Sequence, residues 1–432
     1  MMNNIRSGKL ILILLLFSLA TKAQDTLQLS REQAEALFLK DNLRLIAEKL
    51  NISQAEAMAT QANLWPNPSF TLDQVNFWAT NAQTGGKEVI PSLGGLPTNQ
   101  QFGFGIEQII LTARKRKKLV ALEEVSVEKS KQYFEDLLRN LKIEFRNQLT
   151  RLQYLQFSKS IYQNQLNSIR LLTIAYKNQV EEGNVSQGEF IRLKAMELEI
   201  AKTINEFNQE VNKAQKELKV FMHLPATTHL QITDEGFLKD TEQFSQLALN
   251  DIIEQAKIHR PDYRITQLEE TYYNNLHAFE KAQRIPNLTL SSAYDRGGNA
   301  MLDFVGFGVS MDLPFFNRNQ GNIRHAQIGI KKSKILRKEK TLKIENEIVL
   351  SYQNLSNAVF FLDEIASDYE STLDGLLTSY TQNFIERNIS MLEYLDFLEA
   401  YLENKKVILE AGKDVNEMAE ELNYTVGMDL IK

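Results

Sequence analysis

The stretch Val305-Gly306-Phe307-Gly308-Val309-Ser310-Met311-Asp312 alternates large apolar residues with small or polar ones, position by position. A period of two sends Val305, Phe307, Val309 and Met311 to one face of a strand and Gly306, Gly308, Ser310 and Asp312 to the other. A partner stands just upstream, where Leu288, Leu290 and Tyr294 alternate with Thr289, Ser291 and Asp295. An earlier pair reads similarly from Ser69 to about Trp78 and from Gln101 to Glu107, where Phe102, Phe104 and Ile106 share a face. A loop rich in Gly, Pro and Asn, 81–99, separates those two runs. The expected strands are thus about 67–78, 100–110, 287–295 and 303–313. Apolar residues outside and small or polar ones inside are the pattern of a membrane β-barrel, although a hairpin in a soluble protein can share it. Four strands cannot close a barrel, since barrels begin at about eight, and open edges are not tolerated in lipid. Strands that enter a membrane must then be pooled between copies, and three copies of four strands give a closed ring of about twelve.

Outward from the strands the chain reads as helix. From Thr112 to about Glu182 there is neither Gly nor Pro. At about 1.5 Å per residue that run makes a helix of roughly 100 Å, far longer than a compact domain needs. Leu138, Leu141, Phe145, Leu152, Leu155, Tyr162, Leu166, Ile169, Tyr176 and Val180 fall on alternating steps of three and four, with polar Gln148, Lys159 and Thr173 in the remaining slots. That is a coiled-coil seam. It breaks at Glu182-Gly183-Asn184-Val185-Ser186, and a return helix follows from about 187 to 222. Upstream, Ser30 and Gln33 have capping-box spacing and open a helix expected to run to about Asn63.

The same programme then repeats. Ala62…Pro66-Asn67 matches Ala282…Pro286-Asn287, and Phe104-Gly105-Ile106 matches Phe307-Gly308-Val309. Tyr176…Asn184-Val185-Ser186-x-x-Glu189-Phe190 matches Tyr380…Asn388-Ile389-Ser390-x-x-Glu393-Tyr394, and Asn42-Leu43-Arg44-Leu45 faces Asp262-Tyr263-Arg264-Ile265. Four landmarks in one order mark an internal duplication of helix, hairpin, very long helix, tight turn and return helix. The expected organisation is a first repeat over 24–227, a linker over 228–250 and a second repeat over 251–432. Before them, Arg6 and Lys9 precede an apolar run from Leu10 to Leu19 and a small-residue site ending at Ala23. Residues 1–23 therefore read as a secretory signal peptide, since a spanning helix needs about 20 apolar residues.

Composition removes most other functions. The chain has 432 residues, 49 Lys+Arg against 55 Asp+Glu, a net charge of −6 and no cysteine. Nucleic acid is not expected as a partner, because its binders carry a basic surplus. Thiol chemistry, disulfides and Cys-based metal sites are excluded. The five histidines (223, 229, 259, 277 and 325) lack the short spacing of a ligand pair. No nucleophile–base pair or phosphate loop stands out, so neither enzyme activity nor a cofactor is expected. Two basic clusters, Arg114 to Lys118 and Lys331 to Lys338, flank the hairpins as solvated helix faces or as contacts to anionic headgroups.

Taken whole, the chain resembles the TolC-type outer-membrane efflux channels. The stretches that carry the resemblance are "ANLWPNPSF", "AQRIPNLTL", "FGFGIEQIILTARKR" and "FGVSMDLPFFNRNQGNI". The run Leu313-Pro314-Phe315-Phe316-Asn317-Arg318-Asn319-Gln320-Gly321 is similar to the heavy-metal-efflux branch. Relatives are often lipidated through an N-terminal Cys, which this chain lacks. The resemblance implies a homotrimer in the outer membrane of a Gram-negative bacterium. Its fold would be mainly α with transmembrane β-hairpins, a twelve-stranded barrel continued by a periplasmic helical barrel. It implies a passive exit duct for heavy-metal cations, fed by an inner-membrane RND-type pump through a periplasmic adaptor. The tip turns Gly183, Asn184, Val185, Ser186 and Arg387, Asn388, Ile389, Ser390 would dock that adaptor. Glu393 and Asp396 would fall near the acidic ring that narrows the periplasmic entrance. Glu393 also has capping-box spacing from Ser390, whereas Asp396 does not and faces Arg192 in the other repeat, which favours Asp396 for the ring. A duct for drugs or secreted peptides is an alternative, as is a periplasmic coiled-coil scaffold outside the membrane.

Overall fold

The computed structural model describes residues 26–234, 244, 248–297, 301–365 and 368–431, the side chain of Gln74 aside. The expected leader, 1–23, lies outside them. In chain order the first elements are β1 (Thr26–Leu29), α1 (Arg31–Asp41), α2 (Leu43–Ala62), β2 (Ser69–Asn76), α3 (Asn81–Thr84), β3 (Gln101–Ile110), α4 (Lys115–Glu181) and α5 (Gln187–Phe221). Then come β4 (His229–Ile232), α6 (Leu249–His259), α7 (Pro261–Gln283), β5 (Leu288–Arg296), β6 (Asp303–Ser310), α8 (Gln320–Asp363), α9 (Tyr369–Ile385) and α10 (Met391–Val426). The chain divides into two units. One comprises Met1–Glu48, Glu135–Arg260 and Leu342–Lys432, the other Lys49–Phe134 and Pro261–Thr341.

In the first unit Ser30 opens α1 as its spacing predicts: Ser30 Oγ accepts from Gln33 N at 3.2 Å and Gln33 Oε1 accepts from Ser30 N at 3.0 Å. The single helix expected up to Asn63 is instead two. Asn42 ends α1 and caps α2, its Oδ1 accepting from Arg44 N and Leu45 N at 3.1 and 3.0 Å while its Nδ2 donates to Phe221 O at 2.9 Å. A short amide that satisfies free helix-end N–H groups competes well with helix continuation. The seam of α4 is buried at Leu141, Phe145, Leu152, Leu155, Leu166 and Ile169. Polar Thr173 is buried there too, because its hydroxyl donates to Ile169 O at 2.8 Å. The second repeat departs from its expected very long helix. α8 stops at Asp363 and α9 begins at Tyr369. Its end carries Asp363 and Glu364 with no basic residue in the last turn, which sets negative charge against the negative pole of the helix.

Two packing centres hold this unit. Phe38, Phe145 and Phe221 form one, with ring centroids 4.6 to 5.8 Å apart. Near it β1 and β4 pair in parallel, Thr26 with His229 through Leu29 with Ile232. The 228–250 stretch expected as a linker therefore contains a strand. The buried Gln215 fixes it, bonding both N and O of Leu230. The other centre joins both helical hairpins: Leu166, Ile169, Leu193 and Ile200 pack with Leu373, Phe384, Tyr394 and Leu398.

The second unit is built on a four-stranded antiparallel sheet in the order β2-β3-β5-β6. The strands of the first hairpin meet those of the second at β3–β5, and β2 and β6 are the edges.

Candidate functional site

The sheet is two-faced, and its register shows how. Leu72, Phe104, Tyr294 and Val305 lie abreast; so do Phe70, Ile106, Ser292 and Phe307; so do Gln108, Leu290 and Val309. Paired residues share a face, so this face is apolar with few exceptions. The opposite face carries Thr71, Gly105, Ala293 and Gly306 in one row, and Ser69, Glu107, Ser291 and Gly308 in another. The apolar face is open to solvent in the single chain: Phe307 is 86% exposed and Val309 67%. Phe102 packs against Tyr294 and Phe77 on that face. Phe304 is on the other face, abreast of Asp295. Its ring lies where a side chain at 306 would stand, so Gly306 leaves room for it.

The Pro-Asn motifs tie strands to helices. Pro66 O accepts from Gln108 Nε2 at 3.0 Å, and Pro286 O accepts from Thr112 Oγ1 at 2.5 Å. Lys115, buried, donates to Asn287 Oδ1 at 2.6 Å; Arg116 donates to Asn63 O at 2.7 Å and lies over the Trp65 ring. Two members of the first basic cluster are thus joints of the fold rather than a solvated face. At the other end of the sheet Arg296 is buried between Asp303 and the carbonyl of Pro91, binding the long first loop to the second hairpin.

In the first unit, each helical hairpin reverses through one turn design. Gly183 (φ 80°) and Arg387 (φ 63°) both take the left-handed conformation. The next residue then closes a six-residue loop, Asn184 N to Gln179 O and Asn388 N to Asn383 O, both at 2.8 Å. Each return helix opens with a capping box. Ser186 pairs with Glu189 in α5, and Ser390 pairs with Glu393 in α10. Gly183, Asn184 and Ser186 are exposed, as are Arg387, Asn388 and Ser390, while Val185 and Ile389 turn partly inward. The Glu393 carboxylate accepts from Ser390 N at 2.8 Å and from Ser390 Oγ at 2.7 Å. The backbone hydrogen bond, then the hydroxyl, holds its pKa below the usual carboxylate value. Asp396 is exposed on the next turn. Its face of α10 continues with exposed Glu399 and Glu403, two acids that sequence comparison with Arg192 did not reach but that spacings of three and four would have revealed.

No protein-family model matches the sequence, and no curated protein sequence matches it. Solved structures do. The chain superposes on CusC with a TM-score of 0.69 and 16% identity, covering 92% of both chains; that study describes CusC folding and transmembrane channel formation. It superposes on the CmeC outer-membrane channel of Campylobacter jejuni with a TM-score of 0.71 and 14% identity, covering 92% of this chain and 85% of that one. Against the open MtrE outer-membrane channel of Neisseria gonorrhoeae the TM-score is 0.67 and the identity 13%, covering 92% and 88%. With a two-faced sheet and paired helical hairpins at this level of superposition, the chain has the fold of these outer-membrane channels.

Proposed function

We propose that three copies of this chain form the outer-membrane duct of a tripartite efflux system. The observation that carries the reading is the sheet, whose apolar face is exposed and whose β2 and β6 edges are open in a single chain. Lipid would cover that face, and pairing of β6 with β2 of the next copy would satisfy both edges. The duct performs no chemistry; an inner-membrane RND-type pump supplies the energy, and a periplasmic adaptor meets the turns at Gly183–Ser186 and Arg387–Ser390. Asp396, exposed and without the capping duty of Glu393, carries the acidic ring at the entrance, with Glu393 beside it. The cargo is heavy-metal cations, on the likeness of the Leu313–Gly321 run to that branch.

The test is reconstitution. Purified full-length protein added to lipid bilayers should give stepwise conductance and run as a trimer by light scattering in detergent. A soluble monomer without conductance overturns the reading. For the cargo, cells lacking the chain should lose tolerance to zinc, cobalt or copper. Loss of tolerance to dyes or drugs alone would assign a different cargo to the same duct.

A further inference from the structure

Arg284, Arg318 and Arg324 line one cavity of about 540 Å³ in the second unit, with Phe316, Gln320 and Gln327 beside them. We propose that this cavity binds the phosphate of an anionic phospholipid at the periplasmic rim of the barrel, an inference that rests on the channel reading.

The loop that presents Phe316 and Arg318 is built rather than slack. Asn319 takes the left-handed conformation, φ 56°, and its Nδ2 donates to Glu280 O at 2.9 Å and to the Glu280 carboxylate at 2.5 Å. Asn317 Oδ1 accepts from Asn319 N at 3.0 Å, and Gln320 Oε1 accepts from Arg318 N at 2.8 Å. Glu280, one helical turn before Arg284, is therefore engaged with the loop backbone and Asn319. Among the described residues none of the three arginines makes an ion pair. Three guanidiniums around one space repel each other and favour a bound anion, and their planar forks match phosphate oxygens. The start of the 44-residue α8 adds its positive pole at Gln320.

Apolar neighbours point to a lipid as the source of that phosphate. The exposed residues of β6 continue beyond its end at alternate positions: Val305, Phe307, Val309, Met311, Leu313 and Phe315 are all exposed. Phe316, which lines the cavity, is 95% exposed. A row facing acyl chains that ends against three arginines is the profile of a bilayer passing from hydrocarbon to headgroup.

The test uses full-length protein in nanodiscs of phosphatidylcholine containing phosphatidylglycerol, re-extracted into detergent, with bound lipid counted by native mass spectrometry. Wild type should be enriched in phosphatidylglycerol. The triple variant Arg284→Gln/Arg318→Gln/Arg324→Gln should lose that enrichment, by about fivefold for each arginine removed. Phe316→Ala should lower retention of both lipids without changing their ratio. Excess inorganic phosphate should leave the bound lipid in place; displacement by it would make this a site for the free anion and overturn the lipid assignment. Wild-type protein that inserts but shows no phosphatidylglycerol enrichment overturns the proposal however the variants fold. So does a trimeric triple variant with wild-type enrichment. Wild-type protein that does not enter nanodiscs at all overturns the channel reading instead.

Discussion

The two tight turns place the same backbone demand on different residues. Gly183 meets φ 80° without steric cost, whereas Arg387 at φ 63° sets a Cβ against its own carbonyl, a penalty of about 1 kcal/mol for a non-glycine residue. Arg387→Gly should therefore raise thermal stability by no more than about 0.5 kcal/mol after the entropy of the added glycine is counted, and Gly183→Ala should lower it by up to about 1 kcal/mol. Calorimetry of the purified protein reads both; equal midpoints for wild type and the two variants would contradict the turn geometry. Six residues beyond Arg387, at the second turn alone, lies a second contrast. Glu393 is committed to Ser390, while Asp396 is open to water. In single-channel recordings Asp396→Asn should reduce cation selectivity and divalent block, because three carboxylates brought together by a threefold axis attract cations. Glu189→Ala, which removes the side-chain acceptor of the matching cap of α5, should lower stability and leave selectivity alone. Unchanged selectivity in Asp396→Asn and in its double mutant with Glu393→Gln removes the gate assignment. Both capping boxes were legible in sequence because a cap is a matter of four consecutive residues. The residue abreast of Phe304 was not, since register across the sheet joins positions far apart in the chain.

At the scale of elements, ionic contacts decide how the helices of the first unit are held. Lys405 of α10 is buried, yet its partners on α9 reach water: its Nζ lies 2.8 Å from Glu370 and 2.9 Å from Asp374, which are about half exposed. Tyr401 also donates to Asp374, at 2.9 Å. Losing the carboxylates strands a buried ammonium, whereas losing the ammonium leaves acids that water can solvate. Glu370→Gln/Asp374→Asn should thus cost about 2–3 kcal/mol, and Lys405→Met less than about 1 kcal/mol. Urea titrations that rank the two the other way would refute the asymmetry. A second tie fixes the end of the chain. Asn423 bonds Leu430 and Ile431, and Asp429 pairs with Arg146 and Lys142. Burial alone would raise the Asp429 pKa, but hydrogen bonds from Arg146 and Lys142 hold it at about 2 against an ordinary 3.8. A depressed carboxylate stabilises above its unfolded pKa and loses that contribution as pH falls through the folded one. Wild type should therefore lose about 1 kcal/mol, discounted for the part exposure of the pair, between about pH 4 and pH 2. Asp429→Asn should lack that loss, and matching acid titrations in the two proteins would exclude the linkage. The main strands and α4 were readable because a period of two or of three and four persists over many residues. Two short strands were not. Yet Leu27-Gln28-Leu29-Ser30 and Leu230-Gln231-Ile232-Thr233 carry the duplication at the 203-residue spacing that the pair itself shows. The second long helix misled for the opposite reason: it lacks the Gly or Pro that marks the first break, and ends on acidic residues instead.

The whole molecule carries an apolar sheet face that a single chain leaves exposed. An exposed apolar face between two open edges is an aggregation hazard in water and an impossibility in lipid unless the sheet closes. Closure by three copies would remove both edges while leaving the apolar rows outside and the Gly, Ser, Thr and Asp rows within, so sidedness and assembly are one property. This permits a paired test. Phe307 is abreast of Ser292 and Ile106 on the apolar face, and Ser310 is abreast of Thr289 on the other. Phe307→Asp should place a carboxylate against acyl chains at a cost of about 2 kcal/mol in each copy, a burden carried three times by one barrel. Ser310→Asp places the same charge in the lumen and should be tolerated. Electrophoresis of unheated outer-membrane extracts should show the trimer band strongly reduced for Phe307→Asp and retained for Ser310→Asp, with conductance following the band. Equal trimer yields would mean that the two faces are not divided between lipid and water, and the barrel reading would fall with them.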